Sequence, residues 1–436
     1  MRLRNFLEID FPLIFSAIIL SVFGILFIYS SGVTSTGVLV SNEYIRQIIW
    51  SAAGLIVALV IAMIDYQRLY DLSIYLYCGA ILLLVYTCFF GRLVNGARAW
   101  IGVGAFGIQP SEFSKITTII LLARHLDGTK RSANNFSRFV ISGLIAFAPM
   151  ALILLQPDFG TSLVFIPILL VMTFIAGISL RYVFFLSACI AFASIFIALP
   201  LWQSYILRQA MPSFAILANI EFVGIAVLAL CIIAGIALFG FIRYKKLYFY
   251  WIAYSAAIII LSLVASFAAR KALKDYQMMR LIVFLDPNVD PRGSGWNIIQ
   301  SITAIGSGGF AGKGYLQGTQ SHYRFLPQQS TDFIFSIFSE EWGLLGGLLV
   351  FGLFLIICLR LVRIMKSTSD PFGAFIAAGL AAMYIFHFLI NVGMTMGIMP
   401  ITGIPLLFMS YGGSALTSAM AGIGIALSIY TRRFQH

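Results

Sequence analysis

Apolar runs of about twenty residues recur from one end of this chain to the other, and no other feature constrains its fold as strongly. As a helix, a run of that length crosses the roughly 30 Å hydrocarbon core of a bilayer. Twelve candidate spans fall near 11–31, 45–64, 72–90, 111–127, 139–155, 160–178, 182–200, 217–242, 247–269, 334–362, 372–393 and 407–430. Only 10% of the 436 residues are charged, 61% are hydrophobic and the mean hydropathy is +0.98. A soluble protein of this size needs a far more polar surface. The predicted fold class is therefore all-α, a polytopic integral membrane helix bundle. The first run follows Arg2 and Arg4 and lacks a small-residue cleavage site, so it reads as a retained helix rather than a signal peptide. All five cysteines lie within apolar runs, which argues against a disulfide framework or a metal cluster. The histidines (His125, His322, His387, His436) are scattered without ligand spacing.

The net charge of +12 would raise nucleic acid as a partner for a soluble protein. Here the positive-inside rule accounts for much of it, anionic lipid head groups for some of the rest, and no nucleic-acid role is expected. With the N-terminus placed in the cytoplasm, 16 of the 28 basic residues fall on the inner side. Outside the segment 270–331, only Arg46, Arg92, Arg98, Lys115 and Arg208 face the other way. Both termini are thus predicted to be cytoplasmic, and 270–331 becomes a long extracytoplasmic loop. Long loops are exempt from the charge rule. The seven cations of this one (Arg270, Lys271, Lys274, Arg280, Arg292, Lys313, Arg324) therefore read as contacts either for an anionic, phosphorylated ligand or for lipid head groups. No repeat, low-complexity tract or linker divides 1–436, which reads as a single domain.

Ionisable residues at the edges of spans are costly and are functional candidates by default. Asp332 stands ahead of a long apolar helix, with Ser336 and Glu340 at i+4 and i+8 on the same face. From Asp332 to Val362 a continuous helix would be about 46 Å long, more than the bilayer needs, so its first turns are expected to line an open cavity. The plainer reading of Asp332 is a helix cap. Glu112 and Lys115, at i and i+3, form either a structural ion pair or part of a ligand site. Asp158, in Gln156-Pro157-Asp158-Phe159-Gly160-Thr161, reads first as a structural turn. The stretch Gly309 to Gly314 is not a nucleotide P-loop, because Ser307 and Gly314 replace the required Gly and Ser/Thr.

The motifs along most of the chain resemble those of one family. They include Asn95-Gly96-Ala97-Arg98 with Trp100-Ile101, Gln109-Pro110-Ser111-Glu112-Phe113 with Lys115, and Gln156-Pro157-Asp158 with Gly160-Thr161. They continue with Asp275-Tyr276-Gln277, Arg280, Asp286-Pro287, Gly293 to Lys313, Gly318-Thr319-Gln320-Ser321, Leu326-Pro327 and Thr331-Asp332-Phe333-Ile334-Phe335. Gly397, Pro400, Gly403, Pro405 and Ser410-Tyr411-Gly412-Gly413-Ser414 close the set. So many matched spacings identify the chain as similar to the SEDS family (shape, elongation, division and sporulation) of membrane peptidoglycan glycosyltransferases. Its ending, Ser414-Ala415-Leu416 with Met420-Ala421-Gly422, is more similar to the RodA branch than to the FtsW branch. Three departures stand out. The family has ten spans, so 201–270, with its unexplained Glu221, reads as an inserted helix pair. Ser330 stands where a histidine often precedes the reactive aspartate. Leu407 replaces a proline, with only a local effect expected.

The resemblance implies polymerisation of lipid II at the outer face of the bacterial cytoplasmic membrane, for cell elongation and shape. The donor is the undecaprenyl pyrophosphate-linked glycan, and the 4-hydroxyl of a second lipid II attacks its anomeric carbon with inversion. Such a hydroxyl needs a base, and Asp332 is the candidate. The departing pyrophosphate needs positive charge, for which Arg98, Arg280, Lys313 and Lys115 are candidates, or a divalent cation, Mg²⁺ or Mn²⁺. Glu112, Asp158, Gln320 and Glu340 complete the substrate-binding candidates, with no dedicated metal ligands among them. The glycines Gly397, Gly403, Gly412 and Gly413 would open a groove for polyprenyl tails or serve close helix packing. A class B penicillin-binding protein, a transpeptidase, is the implied partner. A lipid II flippase is the competing class, but it calls for polar groups through the full membrane depth, whereas here they gather at the outer end. A scaffold, the third class, needs no carboxylate at a cavity mouth.

Overall fold

The computed structural model describes residues 10–94, 96–102, 107–130, 134–207, 217, 219–272 and 275–433. Arg2, Arg4, Asn95, Arg208, Lys274 and His436 lie outside the described residues. The helices are α1 (Phe11–Gly32), α2 (Glu43–Met63), α3 (Gln67–Phe90), α4 (Pro110–Gly128), α5 (Asn135–Leu155), α6 (Phe159–Leu163), α7 (Phe165–Ile175) and α8 (Leu180–Trp202). They continue with α9 (Ile220–Tyr244), α10 (Leu247–Ala272), α11 (Asp275–Leu285), α12 (Ser294–Gly308), α13 (Thr319–His322), α14 (Ile334–Ser367), α15 (Pro371–Thr395) and α16 (Gly413–Thr431). A small antiparallel hairpin, β1 (Arg92–Val94) and β2 (Ala97–Trp100), follows α3.

Among the described residues, ten helices are long and apolar enough to cross a membrane: α1, α2, α3, α5, α8, α9, α10, α14, α15 and α16. The other two expected spans are helical but differ in character. Helix α4 carries Glu112, Lys115, Arg124 and Asp127 along its length, and 159–175 is short and interrupted at Val164. The segment expected as a loop, 270–331, holds α11, α12 and α13.

The chain groups into two compact units, Met1–Ile178 with Asn297–His436, and Ser179–Trp296. In the first, α16 packs along α2, α14 lies between α1 and α15, and α4 touches α3, α5, α7, α15 and α16. Aspartates start two of its helices. Asp10 accepts from the Leu13 N–H at 3.3 Å and is held by Arg360 at 2.6 Å. Asp370, ahead of Pro371, accepts from the Phe372 and Gly373 N–H groups and from Tyr66 and Gln67. A carboxylate cap followed by proline satisfies orphan N–H groups and presets the first turn. In the second unit, α9 and α10 form an antiparallel pair and α8 packs on α10.

The long helix expected after Asp332 is broken. Gly343 adopts φ 63°, ψ −158° inside α14, so no single 46 Å rod forms. The segment 309–314 is threaded against the break and satisfies the interrupted ladder. Lys313 and Gly314 N–H donate to the Glu340 and Glu341 carbonyls at 3.1 and 2.9 Å, and Leu344 and Leu345 N–H donate to the Gly309 and Phe310 carbonyls at 2.9 and 3.1 Å. Irregular backbone at this depth is tolerated only where protein supplies its partners. The first turns, Ile334 to Glu340, are therefore packed in the interior, and only Glu341, at their end, borders an open cavity. A Cβ on Gly312 would collide with the Glu341 carbonyl, and Gly312 itself sits at φ +81°, so the crossing requires glycine there.

Candidate functional site

Helix α4 begins with Pro110 in its first turn and buries its charged face. The Lys115 Nζ lies 2.8 Å from Glu112 Oε2, with side-chain exposures of 1% and 2%. Burying two charges costs several kcal/mol per ion and is offset only when further hydrogen bonds complete the pair. The completing partner is His387 on α15, whose Nε2 is 3.0 Å from Lys115 Nζ. An ammonium only donates, so Nε2 must accept. The ring then carries its hydrogen on Nδ1 and donates to the Pro405 carbonyl at 3.1 Å. Asp158 joins this end of the bundle. It accepts from Gln109 Nε2 at 2.8 Å, just ahead of α4, and from the Thr161 N–H and hydroxyl at 3.2 and 2.8 Å, capping α6. The turn reading of Asp158 is thus realised, beside the Glu112–Lys115 pair.

Asp332 is half-buried. Phe333, not Asp332, is the cap residue of α14. The segment leading to Asp332 is held at several points. Ser330 Oγ donates to Glu43 Oε2 at 2.6 Å, Tyr411 N–H donates to the Ser330 carbonyl at 2.7 Å, and Asp332 N–H donates to the Gln328 carbonyl at 3.2 Å. Gln47, one turn beyond Glu43, holds Ser410 through its amide at 3.2 Å. On the other side, Asn391 Nδ2 donates to the Asp332 carbonyl at 3.0 Å and to the Ile404 carbonyl at 2.8 Å.

Glu340 is fully buried and accepts from Lys313 Nζ at 2.7 Å, from the Thr319 N–H and hydroxyl at 2.8 and 2.9 Å, and from Gln320 N–H at 3.0 Å. Its neighbour Glu341 accepts from the Ser30 hydroxyl and from Leu316 N–H at 3.0 Å. These two carboxylates clamp 313–320 onto the broken helix, which brings Lys313, Gln320 and Glu340 together. A cavity of about 390 Å³ opens beside them, lined by Ala311, Gly314, Tyr315, Glu341, Trp342, Leu345, Gly346 and Leu349. Asp332 is not among its lining residues.

Arg98 is exposed on β2, opposite Leu93. Arg280 lies on α11 in the second unit, its guanidinium 5.6 Å from the Tyr276 ring centre. Lys115 faces Glu112 and His387 and has almost no exposure. Among the described residues, no three His, Cys, Asp or Glu side chains gather as a metal site. Gly413 serves close packing, since a Cβ there would meet the Trp50 ring.

Sequence reasoning missed His387 and Asn391. A signal was present: two polar residues at i and i+4 inside the apolar run 371–395 mark one face of a span.

A family model described as "Cell cycle protein", covering FtsW, RodA and SpoVE, matches residues 11–215 and 209–435. The chain belongs to that family. Within it, the chain is 49% identical over 433 residues to peptidoglycan glycosyltransferase RodA of Treponema pallidum (strain Nichols), covering 99% of this chain and 100% of the relative. It is 34% identical to peptidoglycan glycosyltransferase MrdB of Escherichia coli (strain K12), covering 89% and 85%. A solved structure described as "Structural coordination of polymerization and crosslinking by a peptidoglycan synthase complex" matches with a TM-score of 0.69 at 25% identity, covering 98% of this chain and 99% of that one. The crystal structure of Thermus thermophilus RodA matches in fold with a TM-score of 0.61 at 22% identity, covering 99% and 100%. The fold is shared with both solved structures.

Proposed function

We infer that this chain is a peptidoglycan glycosyltransferase that polymerises lipid II. The supporting observation is the near full-length, 49% identity to a relative named for that activity, joined to a half-buried carboxylate, Asp332, whose backbone is fixed from both sides. In this reading the Asp332 carboxylate takes the proton from the 4-hydroxyl of the acceptor lipid II. The oxygen attacks the anomeric carbon of the undecaprenyl pyrophosphate-linked donor, the C–O bond to pyrophosphate breaks, and the configuration inverts. General base catalysis of this kind contributes roughly 10²–10⁴ in rate.

Arg98, Arg280 and Lys313 are the cations proposed to meet the departing pyrophosphate. Lys115, paired with Glu112, supports the same site from the interior, and Asp158, Gln320 and Glu340 hold its surrounding segments. Both termini face the cytoplasm, and the chemistry lies on the outer side of the bacterial cytoplasmic membrane. Residues 201–270 form an inserted helix pair within one SEDS-type domain. A class B penicillin-binding protein is the partner that crosslinks the product.

Purified chain reconstituted in lipid vesicles with radiolabelled lipid II tests this reading, run with and without the transpeptidase and with chelator. Glycan polymer is the expected product. Translocation of lipid II without polymer would make the chain a flippase, and neither outcome would leave it a scaffold.

A further inference from the structure

We propose that Asn391 is a positioning residue for glycosyl transfer, acting through the backbone of Asp332, and that His387 couples the buried Glu112–Lys115 pair to the same brace. The inference rests on the reading of Asp332 as the base. Asn391 is fully buried, in the last two turns of α15. Its side chain faces two carbonyls from distant parts of the chain, Asp332 at 3.0 Å and Ile404 at 2.8 Å. Carbonyls only accept, so the group between them must be the amide NH₂, with both of its protons used. The Asn391 Oδ1 is buried with no hydrogen-bond partner. Leaving a buried acceptor unpaired is unfavourable, and the orientation that carries this cost is the one that grips Asp332.

The grip is shared. One turn earlier on the same face of α15, His387 donates to the Pro405 carbonyl, next to Ile404. Its other nitrogen accepts from Lys115. Residues 404–405 thus form a bar held twice by one helix face, with Asp332 tied to one end and the Glu112–Lys115 pair to the other. A base must sit within hydrogen-bond reach of the proton it takes, and about 1 Å of misplacement can cost roughly 100-fold in rate. A side chain that sets the height of the Asp332 carbonyl also sets where its carboxylate points.

The test uses the full chain in lipid vesicles, with lipid II polymerisation followed as kcat and KM across pH, and thermal stability measured in parallel. Asn391→Leu removes both donors at similar size. It should lower kcat about 10–100-fold with KM nearly unchanged, since the contact fixes the base and not the bound lipid. Asn391→Asp is isosteric, but its carboxyl donates only while protonated, and then to one of the two carbonyls. Its activity should therefore fall as pH rises, over a range where the native enzyme, needing an ionised Asp332, holds or gains activity. A purely structural Asn391 would lower stability or active fraction without inverting the pH profile. Asp332→Asn, assayed alongside, separates the two readings. If it polymerises normally, the base assignment is wrong. If it is inactive while both Asn391 variants keep native kcat and pH dependence, the brace alone is overturned.

Discussion

The most enclosed and the most exposed membrane helices of this protein fall in different units. In the first, 78% of the apolar stretch of α16 and 67% of that of α15 is enclosed by protein, whereas in the second the shares are 6% for Leu180–Ile206 and 11% for α9, with α10 at 33%. The polar side chains follow the same division. Glu112, Lys115, His387, Asn391, Glu340 and Glu341 are all buried in the first unit and, apart from single atoms, are hydrogen-bonded. In the second, α9 between Phe222 and Phe241 carries no ionisable side chain except Cys231, and residues such as Ile225, Leu228 and Ile236 are exposed. Hydrocarbon cannot satisfy a polar group, so chemistry gathers where protein surrounds protein, and helices coated by lipid are left with packing alone.

The sharpest way to break this contrast is at Asp332. Asp332→Asn should reduce lipid II polymerisation by roughly 10²–10⁴ while elution volume and thermal stability stay native. An active Asp332→Asn enzyme would mean that Asp332 is not the base.

Next in size is the pair on α4. Removing one partner of a buried ion pair leaves an uncompensated charge and costs about 3–5 kcal/mol. Glu112→Gln and Lys115→Met should each lower the unfolding temperature strongly, because both side chains are almost fully buried. The double variant should recover part of the loss, since apolar or neutral replacements of a whole pair are often tolerated. If either single variant is as stable as the native protein, Lys115 is not held as an ion pair by Glu112, and the network through His387 loses its anchor.

The helical architecture and the Glu112–Lys115 pair were legible in the sequence, because apolar runs and i, i+3 charges are local patterns. What was not legible depends on contacts between distant segments. The break at Gly343 is invisible locally, since the flanking residues read as one helix. It exists because 309–314 supplies replacement hydrogen bonds from 27 to 35 residues upstream. For the same reason Glu340 read as a cavity carboxylate, when it is a clamp on 313–320. His387 was set aside as isolated in sequence, yet Lys115 is beside it in space.

That crossing yields a smaller expected effect. Gly312→Ala places a methyl group against the Glu341 carbonyl at a left-handed φ, and strain of this kind costs about 1–3 kcal/mol. Thermal unfolding should register the loss, and limited proteolysis should find 309–322 more accessible. A native-like Gly312→Ala protein would mean that the segment does not thread the helix break.

The smallest effect is expected on the lipid-coated side, and it tests the other half of the contrast. Leu228 on α9 is 65% exposed, whereas Ile423 on α16 is fully buried. Truncating a buried isoleucine to alanine costs about 2–5 kcal/mol, through lost transfer energy and the cavity left behind. Truncating a side chain that packs on nothing usually stays within about 0.5 kcal/mol, and in a bilayer lipid chains fill the space. Ile423→Ala should therefore lower the unfolding temperature clearly, and Leu228→Ala should leave it unchanged in vesicles. Should Leu228→Ala destabilise the protein as much as Ile423→Ala does, the face of α9 cannot be covered by fluid lipid. A helix would have to pack there, and the second unit would then carry an interface rather than a bare lipid surface.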